Sequence, residues 1–432
     1  MTATNPSLDD IAAALAGYDP QALRADMVQQ FLQSLVKPVQ EHQTLPLREA
    51  LGRVLARDVL CPIDVPAHDN SAMDGYAFDG AALVAAGDSG TLALTVVGTA
   101  LAGAVWTGSV LAGQCVRIMT GAVMPAGLDT VVPQELVTVN GQTITLTTSA
   151  IAPGDNRRFK GEDLCKGQPA LRAGDRITPA ALGLLASLGI AHADVYRQLR
   201  VAYFSTGDEI LSLGEAPREG AVYDSNRYTL FGLLTRMGVN VIDLGIVKDD
   251  PALLQAAFQS ACEQADAIIT SGGVSVGEAD HTKAVMRKMA GGTSGVAFWR
   301  IAMRPGRPMA VGRIGDAVLF GLPGNPVAVM VTFLAFVRPA LLQMMGCRAT
   351  HLPLLQAVSN EAIRKKPGRT EYQRGIVVTT PQGRLQVQTT GQQGSGVLSS
   401  MAQANGLIVL HHDQGNVAIG DVVDVMMFDG AI

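Results

Sequence analysis

The sequence predicts a multidomain protein of the α/β plus β class. Three observations predict it. The chain has 432 residues, more than one compact core absorbs, so roughly two to four domains are expected. Between residues 180 and 345, short apolar runs alternate with helical segments, the signature of a parallel, doubly wound sheet. On both sides of that stretch lie short β-rich segments separated by glycine, of which the chain carries 47.

Composition narrows the class. Hydrophobic residues make up 48% and charged residues 16%, which describes a well-buried globular protein and excludes a disordered one. A net charge of −5 argues against a general nucleic-acid binder. The five cysteines, Cys61, Cys115, Cys165, Cys262 and Cys347, show no CxxC pair and no zinc spacing, which fits a reducing cytosol. Asp9 and Asp10 stand where a signal peptide would be basic, and no apolar run is read as membrane-spanning. A cytoplasmic protein without a membrane partner is the expectation.

The elements follow in order. Residues 7–36 read as helical, with Ser7 capping the first turn and Pro20 opening a second helix that carries Leu23, Met27, Phe31 and Leu35 on one face. Residues 91–97 and 141–147 read as strands of a small β module, and 155–180 is rich in turns and charge. Residues 179–189 read as a helix and 200–205 as a strand. A helix capped by Asp224 or Ser225 ends at Gly238. Strand 239–247, a helix from Pro251 to Glu263 and strand 266–270 complete the alternation. Residues 298–303 and 317–320 are strand-like, 327–345 reads as a helix, and 375–380, 385–389 and 421–426 read as strands of a short β-barrel-like module.

The most informative segment is Ser271-Gly272-Gly273-Val274-Ser275-Val276-Gly277-Glu278-Ala279-Asp280. A strand that opens into glycines and serines offers backbone N–H groups to an anion, and two carboxylates follow at once. Strand 200–205 likewise runs into Thr206-Gly207-Asp208-Glu209, and strand 239–247 into Lys248-Asp249-Asp250. Parallel strands bring their carboxyl ends to one edge, so these acids converge, and a cluster of carboxylates suits a hard divalent cation. The plainer reading makes Asp249 a helix cap and Asp208 a turn residue. Arg304-Pro305-Gly306-Arg307-Pro308 holds two guanidiniums in a bend, suited to an oxyanion or to nothing more than a solvated turn. Gly321-Leu-Pro-Gly-Asn-Pro326 is a turn into a helix N-terminus, an anion site or simply a tight turn. Taken alone, Asp74-Gly75 reads as a hairpin turn and residues 157–163 as a solvated loop. There is no HExxH, GxSxG or Walker A motif, so the chemistry reads as electrostatic and metal-assisted.

Together these motifs resemble a known family. Asp69-Asn-Ser-Ala-Met-Asp-Gly-Tyr-Ala77, Arg117-Ile-Met-Thr-Gly121, Arg158-Phe-Lys-Gly-Glu-Asp163, Ser205-Thr-Gly-Asp-Glu209, the segment from Ser271 to Asp280, Pro305-Gly-Arg-Pro308 and Gly321-Leu-Pro-Gly-Asn-Pro326 look like the molybdopterin molybdenumtransferases, the MoeA and gephyrin E-domain family. The match runs in order over nearly the whole chain. It implies a doubly wound molybdopterin-binding α/β domain (179–346), a small β-rich domain (61–149), an elongated N-terminal α/β region that dimerises (1–60 with 150–178) and a C-terminal β-barrel-like domain (347–432).

The resemblance implies the last step of molybdenum cofactor synthesis. Adenylyl-molybdopterin and molybdate are bound, a divalent cation such as Mg2+ assists cleavage of the adenylate, molybdenum enters the dithiolene and AMP leaves. By motif, the catalytic acids would be Asp74, Asp163, Glu209, Asp249 and Asp280, with Glu209, Asp249 and Asp280 as metal ligands. Thr206, Gly207, Asp208, Ser271, Gly272, Gly273, Ser275, Pro323 and Pro326 would bind the pterin or its phosphate. Arg304, Arg307, Pro308, Arg369 and Ser395 would bind molybdate. The family is typically a homodimer with its cleft shared between subunits, so Asp74 would act in trans, and contact with the molybdopterin adenylyltransferase is implied. Family members often carry lysines where this chain has Arg304 and Arg307, which keeps the charge but changes its shape. A non-catalytic pterin-binding scaffold or carrier on the same fold is the alternative reading.

Overall fold

A computed structural model describes residues 6–87, 90–274, 281–292 and 295–429. The chain forms two compact units, one of Met1–Ala56, Gly174–Thr178 and Ala193–Ile432, the other of Arg57–Ala173 and Pro179–His192.

The smaller unit is built on a six-stranded sheet in the order Thr130–Pro133, Gly75–Phe78, Gln114–Ile118, Thr91–Ala100, Thr143–Thr147, Val137–Asn140. Both faces of its central strands are covered. Tyr76, Phe78 and Cys115 point to one apolar cluster, while Ala77, Val116 and Ile118 point to the other. That is the period-two alternation of a strand read on both sides.

In the larger unit a second six-stranded sheet carries the α/β alternation. Its strands and helices in chain order are β1 (Arg200–Thr206), α1 (Ser225–Met237), β2 (Asn240–Val247), α2 (Pro251–Gln264), β3 (Ala267–Ser271), α3 (His281–Met289), β4 (Val296–Arg300), β5 (Pro308–Ile314), β6 (Ala317–Leu322) and α4 (Pro326–Met344). The spatial order is β2-β1-β3-β6-β5-β4. The first four are parallel, and β5 and β4 close the edge as antiparallel strands. Val201, Tyr203, Ile269 and Phe320 face one core, and Ala202, Phe204, Ile268 and Leu319 face the other, so helices cover both faces as in a doubly wound fold. Asp224 caps α1 and Gly238 ends it in the left-handed conformation at φ 80°.

The N-terminal segment packs onto the same unit. Ser7 and Asp10 form a reciprocal capping box on the helix Leu8–Ala14. The second helix is Ala25–Leu35 and does not begin at Pro20 as expected. Leu23 is instead drawn into a bridge beside β4, accepting from the Ala302 N–H at 2.8 Å and donating to Arg300 O at 3.1 Å. These long-range backbone bonds outweigh the local helical pattern.

Helix α4 takes up the apolar segment that reads as a helix from 327 to 345. Among the described residues it is the one helix long and apolar enough to cross a membrane, although most of it is buried inside the protein, as core helices are. Arg338 and Pro339 interrupt the apolar run in the sequence, but they do not interrupt the helix. The five residues Phe333–Val337 wind as a π-helix just before Pro339. Proline has no N–H to give to Ala335 O, and the Gln29 side chain supplies one at 3.3 Å.

The chain continues into β7 (Leu354–Ser359), β8 (Thr370–Thr379), β9 (Leu385–Thr389), β10 (Gly406–Leu410) and β11 (Val422–Met427). The pairings β8–β9, β9–β7, β7–β11, β11–β10 and β10–β8 close a five-stranded barrel. Ala357, Val377, Val387, Ile408 and Val425 fill it. A short parallel ladder, Met303 beside Thr370 and Arg304 beside Glu371, ties the mouth of β8 to the segment before β5.

Candidate functional site

The parallel sheet reverses its winding between β1 and β3, and crevices at such switch points are where these folds take ligands. A cavity of about 870 Å³ lies there. It is lined by the ends of β1, β2 and β3, by the turn into α4, by residues 303–308 and by two stretches of the barrel domain.

Its floor depends on glycine. Gly272 has φ 93°, and a Cβ there would lie 2.5 Å from Thr206 O; Gly273 has φ 68°, and a Cβ there would meet Thr282 at 2.5 Å. No other residue fits this close approach. Thr206, at the end of β1, lines the cavity, and its Oγ1 is buried without a hydrogen-bond partner among the described residues.

Two of the predicted acids reach the cavity. Glu209 folds back over Gly207, where an added Cβ would come within 2.5 Å of its carboxylate. Asp249 accepts from Thr282 Oγ1 at a long 3.5 Å, and its N–H donates to Asp208 Oδ1 at 3.3 Å. The capping role weighed for Asp249 belongs to its neighbour: Asp250 accepts from the Ala252 and Leu253 amides at 2.9 and 3.0 Å. Asp208 itself is outside the lining and braces the backbone. Among the described residues no three His, Cys, Asp or Glu stand together as a metal cage. Asp280 and Ser275 lie outside the described residues.

The opposite wall is basic. Arg304, Arg307, Pro308, Arg369 and Ser395 all line the cavity, as do Gly207, Gly272, Gly273 and Pro323. Arg369 is aimed by Glu371, 1% exposed, which accepts from its Nε at 2.8 Å and from Gln373 Nε2 at 3.1 Å. Pro326 starts α4 and stays off the lining. Ser271 also turns away from the cavity: it is 1% exposed and its hydroxyl lies 3.0 Å from Ser205 Oγ.

Sequence reasoning missed Thr282, Glu371, Gln393 and Arg374. Arg374 is fully buried, and its guanidinium donates to Ser400 Oγ at 2.9 Å and to the carbonyls of Gln392, Gln393 and Gly394 at 3.1, 3.3 and 3.0 Å. It thereby holds the loop that carries Gln393, Gly394 and Ser395 into the cavity. Burial first, and the charge of Arg304 second, bring its pKa down to about 10, so it stays cationic at neutral pH. An acidic chain thus concentrates positive charge in one wall.

Asp74 and Asp163 belong to the smaller unit. There the motifs around residues 69–77, 117–121 and 157–163 meet. Asp74 Oδ1 accepts from the Thr120 hydroxyl and amide, both at 2.7 Å, which holds its carboxyl below the usual range. Asp69 accepts from the Lys160 amide at 2.7 Å and pairs with Arg157, while Arg157 and Arg158 pair as a strand with Ser71 and Asn70. Asp163 lies on a turn fixed by its N–H to Val65 O at 3.0 Å. The reading of Asp74-Gly75 as a plain hairpin turn gives way to an anchored loop that leads into the strand Gly75–Phe78.

Three family models match the chain in order: MoeA N-terminal region (domain I and II) over residues 23–189, probable molybdopterin binding domain over 202–343, and MoeA C-terminal region (domain IV) over 356–428. The chain belongs to the MoeA family. Among its relatives is the molybdopterin molybdenumtransferase of Haemophilus influenzae, 43% identical over 92% of this chain and 96% of that one. The Bacillus subtilis protein of the same name is 33% identical over 90% of each. The MoeA fold is also seen in the molybdopterin biosynthesis moeA protein from Pyrococcus horikoshii, which superposes with a TM-score of 0.79 at 27% identity, covering 94% of this chain and 100% of that one.

Proposed function

We propose that this MoeA-family protein is a molybdopterin molybdenumtransferase, which inserts molybdenum from molybdate into adenylyl-molybdopterin and releases AMP, the last step of molybdenum cofactor biosynthesis. The observation that carries this reading is one cavity that faces a glycine-floored phosphate cradle and two carboxylates with a wall of arginines. Molybdate, a tetrahedral dianion, suits Arg304, Arg307 and Arg369 as multi-donor partners, with Ser395 beside them. The adenylate phosphates suit the bare backbone at Gly207, Gly272 and Gly273, with Thr206 beside them.

Glu209 and Asp249 offer only carboxylate oxygens to the cavity, the donor type that a hard cation such as Mg2+ takes; with Asp280 they would hold it. When bound, the ion supplies neutralisation of charge developing on phosphate oxygens. The arginine wall then keeps the second anion close without mutual repulsion driving it out.

In this reading the protein works as a homodimer joined through residues 1–60 and 150–178, and Asp74 of the small β domain (61–149) completes the cleft of a partner subunit, with Asp163 of the 150–178 stretch as a further catalytic acid. The adenylyltransferase that makes the substrate is its natural donor. The five cysteines carry no disulfide, in keeping with a cytoplasmic setting.

The test is AMP release from adenylyl-molybdopterin by the purified protein, with magnesium and molybdate, beside Asp249→Ala. Release that depends on molybdate and falls about a hundredfold in the variant is expected. Tight pterin binding without release would turn the reading toward a scaffold or carrier.

A further inference from the structure

The helix cap Asp224-Ser225-Asn226 does more than start α1. Asp224 Oδ1 accepts from the Arg227 amide at 3.1 Å, the ordinary capping bond, and also from Ser205 Oγ at 2.9 Å. Ser205 Oγ in turn lies 3.0 Å from Ser271 Oγ. Two residues along, Asn226 Nδ2 donates to Gly324 O at 2.7 Å. Asp224, Ser205 and Ser271 are all nearly fully buried. One three-residue turn therefore grips three of the loops that line the cavity: the β1 end through Ser205, the β3 end through Ser271, and the turn into α4 through Gly324.

The direction of the chain follows from the groups in it. A carboxylate only accepts, so Ser205 spends its one proton on Asp224. Ser271 must then donate to Ser205, and its hydroxyl is committed inward. Ser271 thus sets the position of Gly272 and Gly273 and has no proton to offer a ligand. A cap alone would need none of this. Satisfying the α1 amides requires one side-chain oxygen, whereas the contacts to Ser205 and Gly324 reach other loops.

We infer that Asp224 and Asn226 are positioning residues of the cavity, which hold the Thr206–Gly207, Ser271–Gly273 and Pro323–Asn325 loops in register for the phosphate side of the substrate. The inference rests on the transferase reading for its substrate and on the geometry alone for its coupling pattern. Asp224 acts on the first two loops through the serine pair, and Asn226 acts on the third.

Amide hydrogen exchange on the full-length protein tests the pattern without any substrate. Ser205→Ala leaves the α1 cap intact and is expected to speed exchange at residues 206–207 and 271–274 but not at 323–325. Asn226→Ala is expected to do the reverse. Asp224→Asn keeps an acceptor for both Ser205 and Arg227 and is expected to restore slow exchange relative to Asp224→Ala. In the AMP-release assay, Ser205→Ala is expected to raise KM for adenylyl-molybdopterin about tenfold with kcat within about twofold, as loss of one buried positioning bond would. Wild-type exchange in Ser205→Ala at both loops, or a uniform increase over the whole domain in every variant, overturns the inference. A wild-type protein that releases no AMP would sink the transferase reading, while the exchange pattern still decides this one.

Discussion

The two walls of the cavity are held in opposite ways. On the basic side, Arg369 rests on buried Glu371, and Arg374 is locked by a hydroxyl and three carbonyls. On the acidic side, Asp249 has one long contact to Thr282, and the Glu209 side chain has no hydrogen bond or ion pair among the described residues. A braced cation is preorganised for an anion that arrives ready-made, and it costs nothing to orient at the moment of binding. Loosely held carboxylates have no fixed partner to orient them, and in the proposed reading a cation would complete them. The braced charges are therefore tied to the stability of the fold, whereas the unbraced ones are not held by it.

The largest effect that could break this comparison lies at Arg374. Arg374→Ala leaves three carbonyls and a hydroxyl without their donor and empties a filled core position, so about 3 kcal/mol of stability is expected to be lost in denaturant unfolding. Arg374→Lys is expected to recover less than half of it, because an ammonium lacks the fork. An unchanged midpoint for Arg374→Ala would remove the case for a braced wall. Next comes Gly273→Ala. A left-handed backbone and a 2.5 Å approach to Thr282 predict a loss of about 2 kcal/mol and weaker substrate binding, read by thermal melting and KM.

A smaller effect distinguishes braced from unbraced carboxylates by pH. Burial works to raise the Asp266 pKa, but Arg197 and Arg200 outweigh it and hold the carboxyl below its usual value. A depressed folded pKa gives stability that is full above the ordinary carboxylate value and lost as pH falls from there through the folded value. Asp266→Asn is therefore expected to flatten the acid limb of a stability–pH curve, and an unaltered limb would assign it to other groups. The smallest stability effect is expected at Asp249. Asp249→Ala should move the unfolding free energy by no more than about 0.5 kcal/mol, since it removes only a long contact. A loss several times larger would show Asp249 to be as structural as the arginines.

Much of this site was legible in the sequence because strand ends in a parallel sheet fall on one edge. The apolar runs before Thr206, Lys248 and Ser271 were enough to bring Glu209, Asp249, Gly272 and Gly273 together. What sequence could not give was parity and ring closure. Strand β3 runs from Ala267 to Ser271, and the last residue of such a strand can face a ligand or a neighbouring strand; Ser205 decides that Ser271 faces inward. Glu371 and Arg374 lie in one strand whose reading began only at residue 375, because charged side chains mask a buried strand. The plainer reading of Asp249 as the helix cap was one residue early, because the helix starts at Pro251 and Asp250 caps it. The second helix was misjudged at Leu23 because a backbone partner nearly 280 residues away leaves no local trace.

The closed barrel has a consequence for how the protein is made. Strand β8, which carries Glu371 and Arg374, pairs with β9 and β10, but the ring shuts only when β11 slides between β7 and β10. β11 is the last strand of the ring to leave the ribosome. Until it is out, β7 and β10 each present a bare edge to any other strand in reach. The glycine floor, its acids and Arg304 and Arg307 all come from residues synthesised earlier, while Arg369, Arg374 and Ser395 must wait for the ring. A nascent chain thus passes through a stage in which the barrel side of the cavity is unfinished, and it is at this stage that sticky edges leave it most exposed to aggregation.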